Sequence, residues 1–187
     1  MPGLAVVLDA DVLFGIDVTD VLLTLATKRL FRPYWSTEIL DEVRRNLVTR
    51  PNMTDTAVDY RIAQMNRALP DALVDAPAAL LSAMPVNEKD RHVLALAVHV
   101  GAPILVTNNL KDFPPEACDP FGIEAMSADT FLSLQVDLDP SLVRQSFKEI
   151  AARRQRHPRT IAGILERLER PLPATVAAAR GRWSEQK

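Results

Sequence analysis

Short apolar runs alternate along the chain with longer stretches of helical periodicity. Leu4-Ala5-Val6-Val7-Leu8 is unbroken in its apolarity and stops at Asp9, the pattern of a strand buried on both faces of a parallel sheet. Val21, Leu22, Leu25 and Ala26 share one face and predict a helix over 18–30, and 31–35 reads as a short second strand. Ile39, Leu40, Val43 and Leu47 predict a helix over 37–48, with Ser36 as its N-cap but without the acidic partner of a capping box. Arg50-Pro51-Asn52 breaks it, and a further helix over 54–69 starts near Thr54 or Asp55 and ends at Pro70. A third strand is expected at 72–74. Val93, Leu94, Leu96, Ala97 and Val100 predict a helix over 88–100 closed by Gly101. Strands at 103–106 and 122–126 and a helix over 128–134 complete the alternation.

That order predicts an α/β chain, a three-layer α/β/α sandwich around a mostly parallel sheet. From about Asp139 only helices are expected, at 141–153, 160–168 and 174–183, separated at His157-Pro158 and punctuated by Pro171 and Pro173. The expected organisation is therefore a body over 1–135 and a helical extension over 136–187, which is too short to bury a core of its own.

Charge sharpens this division. The net charge is −2, but 1–135 carries 11 basic against 18 acidic residues, whereas 136–187 carries 11 basic against 6 acidic. An acidic body with a basic tail suits a cation-loaded site beside a polyanion-steering surface, and equally a solvated helical face. Arg153, Arg154, Arg156 and Arg159 are the candidate phosphate contacts. The single cysteine, Cys118, excludes an internal disulfide. The run over 4–8 is too short for a signal peptide or a membrane span, so a cytoplasmic protein without membrane contact is expected.

The chemistry lies in the carboxylates. In α/β sheets functional groups gather beyond the carboxyl ends of strands. Asp9 stands there after the first strand, and Thr107, Asn108, Asn109 and Asp112 follow the strand at 103–106. Asp90 opens the helix leading into that strand. Glu42 borders the buried stripe of its helix, with Glu38 one turn earlier as a reserve, while Asp41 and Arg44 face outward. Converging carboxylates repel unless a cation joins them, and hard ions such as Mg²⁺ and Mn²⁺ prefer them. Such a set can activate water against a phosphodiester, with Thr107, Asn108 and Asn109 as hydrogen-bonding support. Each acid alone also has a capping or solvated explanation. There is no Cys/His cluster for zinc and no glycine-rich phosphate loop.

The joint order resembles the PIN-domain family. The residues that carry the likeness are Val6-Val7-Leu8-Asp9-Ala10-Asp11-Val12-Leu13, then Ser36-Thr37-Glu38-Ile39-Leu40-Asp41-Glu42-Val43. Asp90-Arg91-His92-Val93-Leu94-Ala95-Leu96-Ala97 and Ile104-Leu105-Val106-Thr107-Asn108-Asn109-Leu110-Lys111-Asp112-Phe113-Pro114 complete it, over roughly 4–134. The resemblance implies a Mg²⁺- or Mn²⁺-dependent endoribonuclease acting on RNA, usually a homodimer. Many bacterial members are toxins of VapBC-type pairs, neutralised by an antitoxin protein. It further implies that Asp9, Glu42, Asp90 and Asp112 hold the metal or activate water, with Thr107 and Asn109 in support. Many members carry Asp where Asn109 stands, so the fourth acid falls to Asp112. The extension after 136 is open between RNA binding, antitoxin pairing and dimer formation.

Two other readings compete. Asp9-Ala10-Asp11-Val12-Leu13 and Val106-Thr107-Asn108 also resemble motifs of haloacid-dehalogenase-type phosphatases, in which Asp9 is the nucleophile and Asp11 the acid/base. That family needs a later lysine and a Gly-Asp motif; the later lysines are Lys111, Lys148 and Lys187, and no Gly-Asp pair exists. The other reading is a non-catalytic PIN-like scaffold that binds RNA or protein. Packing is the expectation for His92, His99, Trp35 and Trp183, a turn for His157, and an inert thiol for Cys118.

Overall fold

The computed structural model describes residues 3–51 and 53–184. Asn52, the last residue of the break expected at 50–52, lies outside them. The sheet has four strands, all parallel: β1 (Leu4–Leu8), β2 (Phe31–Tyr34), β3 (Ile104–Val106) and β4 (Glu124–Met126), in the spatial order β2-β1-β3-β4. β1 is central, with Leu4 opposite Phe31 on one side and Leu8 opposite Val106 on the other. Val6, Val7 and Leu8 are completely buried, as an apolar run flanked on both edges and both faces must be.

From β1 the chain steps to β2 on one side, through α1 (Ile16–Thr27), and later to β3 on the other, through α5 (Arg91–Val100). Right-handed crossovers then put α1 and α5 on opposite faces. α5 packs on β1 and β3, and α2 (Thr37–Val48) packs on α5 and on α3 (Asp55–Ala68). α7 (Ala128–Leu138) meets the sheet through Phe131, whose ring stands edge-on to Phe31 at 4.9 Å. Two one-turn helices, α4 (Ala78–Leu81) and α6 (Pro115–Cys118), were not expected from the pattern.

Local chemistry sets most boundaries. Ser36 accepts from Ile39 N at 3.2 Å and Thr54 from Ala57 N at 3.2 Å, the two expected N-caps. Three expectations are corrected. The helix expected over 18–30 spans Ile16–Thr27, because Arg29 adopts a left-handed φ of 64° and turns the chain into β2. Residues 72–74 form no strand: Pro70–Ala72 is a 3₁₀ turn, and only Leu73 bridges to Trp35. The helix expected over 88–100 begins as a 3₁₀ turn, Glu88–Asp90, so Asp90 caps α5 rather than lying within it.

The C-terminal helices are layered onto the same face as α1. α7 continues to Leu138, across the boundary expected at 135/136, until Asp139 and Pro140 start α8 (Pro140–Arg153). α8 packs on α1, and α10 (Pro173–Ser184), after α9 (Ile161–Leu168), packs on α7. Asp129 of α7 fixes α10 by accepting from Ala174 N, Thr175 N and the Thr175 hydroxyl at 2.8–2.9 Å. Trp183 is buried against Phe147 and donates to Pro140 O; Trp35 is completely buried and donates to Asn66. Both indoles therefore have packing roles. Among the described residues no helix is long and apolar enough to cross a membrane.

Candidate active site

β1 and β3 are parallel neighbours, and the chain leaves β1 for β2 on one side and crosses to β3 on the other, so the crevice beyond their carboxyl ends is the topological switch point of the sheet. Asp9 and Thr107 are the first residues past these two ends. Asp9 N donates to Val106 O at 3.0 Å, and Thr107 N to Met126 O at 3.0 Å, so the ladder continues one step into the site. The completely buried Thr107 hydroxyl donates to Asp9 Oδ2 at 2.8 Å, and Ala10 N donates to Asp9 Oδ1 at 2.7 Å. Burial nonetheless pushes the Asp9 carboxyl up, and these two hydrogen bonds offset it only in part.

The other predicted acids gather around Asp9. Burial raises Glu42 of α2, and repulsion from Asp9 adds to it. Burial likewise raises Asp90; Lys89 opposes this, while Asp112 and Asp9 reinforce it. Asp112 is lowered, first by its bond from Lys89. The Asn109 side-chain amide also donates to Asp112, while Asn109 N donates to the Thr107 hydroxyl at 3.1 Å. Thus Thr107 and Asn109 form a continuous polar link from Asp9 to Asp112. Glu38, the reserve, is more exposed than Glu42 and faces His92.

Three residues that the sequence reading did not assign to this cluster belong to it. Asp11 lies between Asp9 and the loop after β3, its Oδ2 accepting from Asn108 N at 2.9 Å. Burial, then repulsion from Asp9, pushes its carboxyl up to about 7. Its place two residues after a strand-end acid was the available signal. His92 is 7% exposed, and its ring nitrogens lie 3.7 Å from Glu38 Oε1 and 3.8 Å from Glu42 Oε2. Lys89 reaches over from solvent to Asp112 Oδ2 at 2.9 Å and Asp90 Oδ2 at 3.6 Å. Only the fold reveals the last two.

These residues fit a divalent cation by donor chemistry. The buried oxygen Asp11 Oδ1 has no hydrogen-bond partner, Asp90 Oδ2 has only the Lys89 ammonium at 3.6 Å, and the carboxylates raise one another's proton affinity. Among the described residues, however, no three acidic, histidine or cysteine side chains are already arranged around a metal position.

The four candidate phosphate arginines divide. Arg153 pairs with Asp20 and donates to Thr24 Oγ1 at 2.7 Å, and Arg154 pairs with Asp17 at 2.6 Å, so both serve to fasten α8 to α1. Arg156 and Arg159 are exposed, and Arg156 lines a largely apolar groove of about 590 Å³ between α1 and α3. Cys118 is buried and its thiol pushed up by burial, in keeping with an inert role.

A parallel four-stranded sandwich with an acidic cluster at its switch point is the architecture of PIN-type proteins, and the chain belongs to the PIN-domain family. The family model described as "PIN domain" matches residues 5–111. A second, described as "VapC50 C-terminal domain", matches residues 128–181. The chain is also 38% identical over 101 residues to a protein of Mycobacterium tuberculosis named "Putative ribonuclease VapC50", a match covering 54% of this chain and 60% of that relative. The chain thus spans about three fifths of the length of this relative. No solved structure matches it. The family takes the place of the phosphatase reading: Asp11 is tied to Asn108 as a support of the acidic cluster.

Proposed function

We propose that the protein is a divalent-metal-dependent endoribonuclease of the VapC toxin type. The observation that carries this reading is the convergence of Asp9, Glu42, Asp90 and Asp112 at the switch point, with Thr107 bonded to Asp9. Asp9 and Asp90 are the central ligands for Mg²⁺ or Mn²⁺, and Glu42 and Asp112 complete the donor set. When bound, the ion supplies the positive charge that an attacked phosphodiester requires. Thr107 holds the Asp9 carboxylate in one rotamer, and Asn109 does the same for Asp112. His92 faces Glu42 and Glu38 from the apolar side of α5. The RNA substrate, a cognate antitoxin protein, a homodimeric state and a cytoplasmic location belong to the same proposal, supported by the similarity to the VapC50 relative.

Labelled total RNA is incubated with purified protein in Mg²⁺, Mn²⁺ or EDTA, beside Asp90→Asn. Metal-dependent cutting that is absent in the variant is expected. Cutting that survives in EDTA or in the variant sinks the assignment. A protein that takes up no Mn²⁺ by calorimetry is a scaffold, and light scattering decides the dimer.

A further inference from the structure

The acidic cluster has a basic neighbour. Asp112 also lines a cavity of about 390 Å³ that is shared with Arg91 and Lys111. Arg91 directly follows Asp90 at the start of α5, and Lys111 directly precedes Asp112 in the turn after β3. Two separate elements therefore each bring one acid to the cluster and one cation to the cavity beside it.

Arg91 differs from the arginines that fasten helices together. Arg44, Arg153, Arg154, Arg167 and Arg180 are held by carboxylates. Arg91 Nε is buried without a hydrogen-bond partner, and neither Arg91 nor the exposed Lys111 forms an ion pair among the described residues. A guanidinium that no carboxylate of the protein holds is available to an anion in the cavity it lines. A guanidinium matches the paired oxygens of a phosphate, and an ammonium adds a point charge. The acids facing the cavity oppose this weakly: Glu88 is exposed at the rim, and Asp112 is already held by Lys89 and Asn109. Val86 and Pro114 supply apolar walls against which a ribose can lie.

We propose that this cavity is a phosphate-binding subsite, in which Arg91 and Lys111 hold a backbone phosphate of the RNA flanking the bond to be cut. The inference rests on the ribonuclease reading and deepens it: the cavity fixes the register of the strand across the acidic cluster.

The test uses the full chain in Ca²⁺, with a short labelled single-stranded RNA titrated across a salt series. Arg91→Gln and Lys111→Gln should each weaken binding and lower the slope of log affinity against log salt by about 0.7, the loss of one single-strand phosphate contact. Arg91→Lys should retain more affinity than Arg91→Gln. Lys148→Gln, which removes an exposed charge of α8, should leave the slope unchanged. Inorganic phosphate should compete with RNA on the wild type and lose that competition in Arg91→Gln. In Mg²⁺ the two glutamine variants should show a raised KM with kcat retained. Affinity, slope and KM in both variants equal to those of the wild type, in a wild type that binds and cuts RNA, would overturn the subsite and leave the nuclease reading intact. A wild type that neither binds nor cuts RNA overturns both; phosphate binding lost in Arg91→Gln would then mark a site for free phosphate. Should circular dichroism show Arg91→Gln unfolded, the exposed Lys111→Gln decides.

Discussion

Asp11 titrates near 7 because it is buried and faces Asp9, and that fact has a sign. Between about pH 4 and 7 the folded chain keeps a proton on Asp11 that the unfolded chain has released, so raising the pH through this window favours unfolding. In EDTA, Asp11→Asn should therefore flatten the fall in stability over that range and raise Tm near neutrality by about 2–4 °C for each kcal/mol recovered. A variant whose melting curve tracks the parent at every pH would refute this. Lys89 gives a second prediction. Its ammonium sits between Asp90 and Asp112, 3.6 and 2.9 Å from their carboxylates. Lys89→Gln should bind Mn²⁺ about thirtyfold more tightly by calorimetry, the effect of removing one unit charge about 4 Å from a divalent ion in water; unchanged affinity would show that Lys89 does not compete. Asp9 and Thr107 were legible in the sequence because a strand end fixes where they stand. Lys89 and His92 were not, because their meaning depends on partners 23 and 50–54 residues away in the chain.

At the scale of elements, the N-caps at Ser36 and Thr54 and the helix over 37–48 followed directly from side-chain chemistry and periodicity. The end of α1 did not, since Arg29 takes the left-handed conformation without the glycine that usually announces it. Residues 72–74 misled because three apolar residues look alike in a strand and in a loop packed on a strand end. Arg61 of α3 shows how a helix far from the sheet supports the site. It donates to Leu13 O at 2.6 Å, Phe14 O at 3.3 Å and the Thr19 hydroxyl at 2.9 Å, bracing the turn that follows Asp9. Arg61→Met should cost about 1–3 kcal/mol in urea unfolding, because those acceptors lose their donor. A loss under about 0.5 kcal/mol would mean that water replaces the guanidinium freely.

For the molecule as a whole, charge asymmetry and helical periodicity revealed the last fifty residues, but not how they attach. Among the described residues several of their arginines are spent on carboxylates of α1 or of the same segment: Arg153 and Arg154 on Asp20 and Asp17, Arg167 on Asp17, Arg180 on Glu169. Phe147, Ile150 and Trp183 join the same buried cluster as β1 and α1. A chain cut after 138 would leave the outer sides of α1 and α7 without their apolar cover. It should unfold without a sharp transition and bind a hydrophobic dye, whereas a truncated chain with a cooperative melt would identify 139–187 as a dispensable appendage.

The bond between Thr107 and Asp9 closes a loop of 98 residues, and the acids of the site are drawn from positions 9, 42, 90 and 112. During synthesis the first acid leaves the ribosome long before the last, and β1 must wait, unpaired along one edge, for β3 to emerge. A nascent chain therefore carries the parts of the site without the site. The interval before those parts can meet is set by the topology of the sheet.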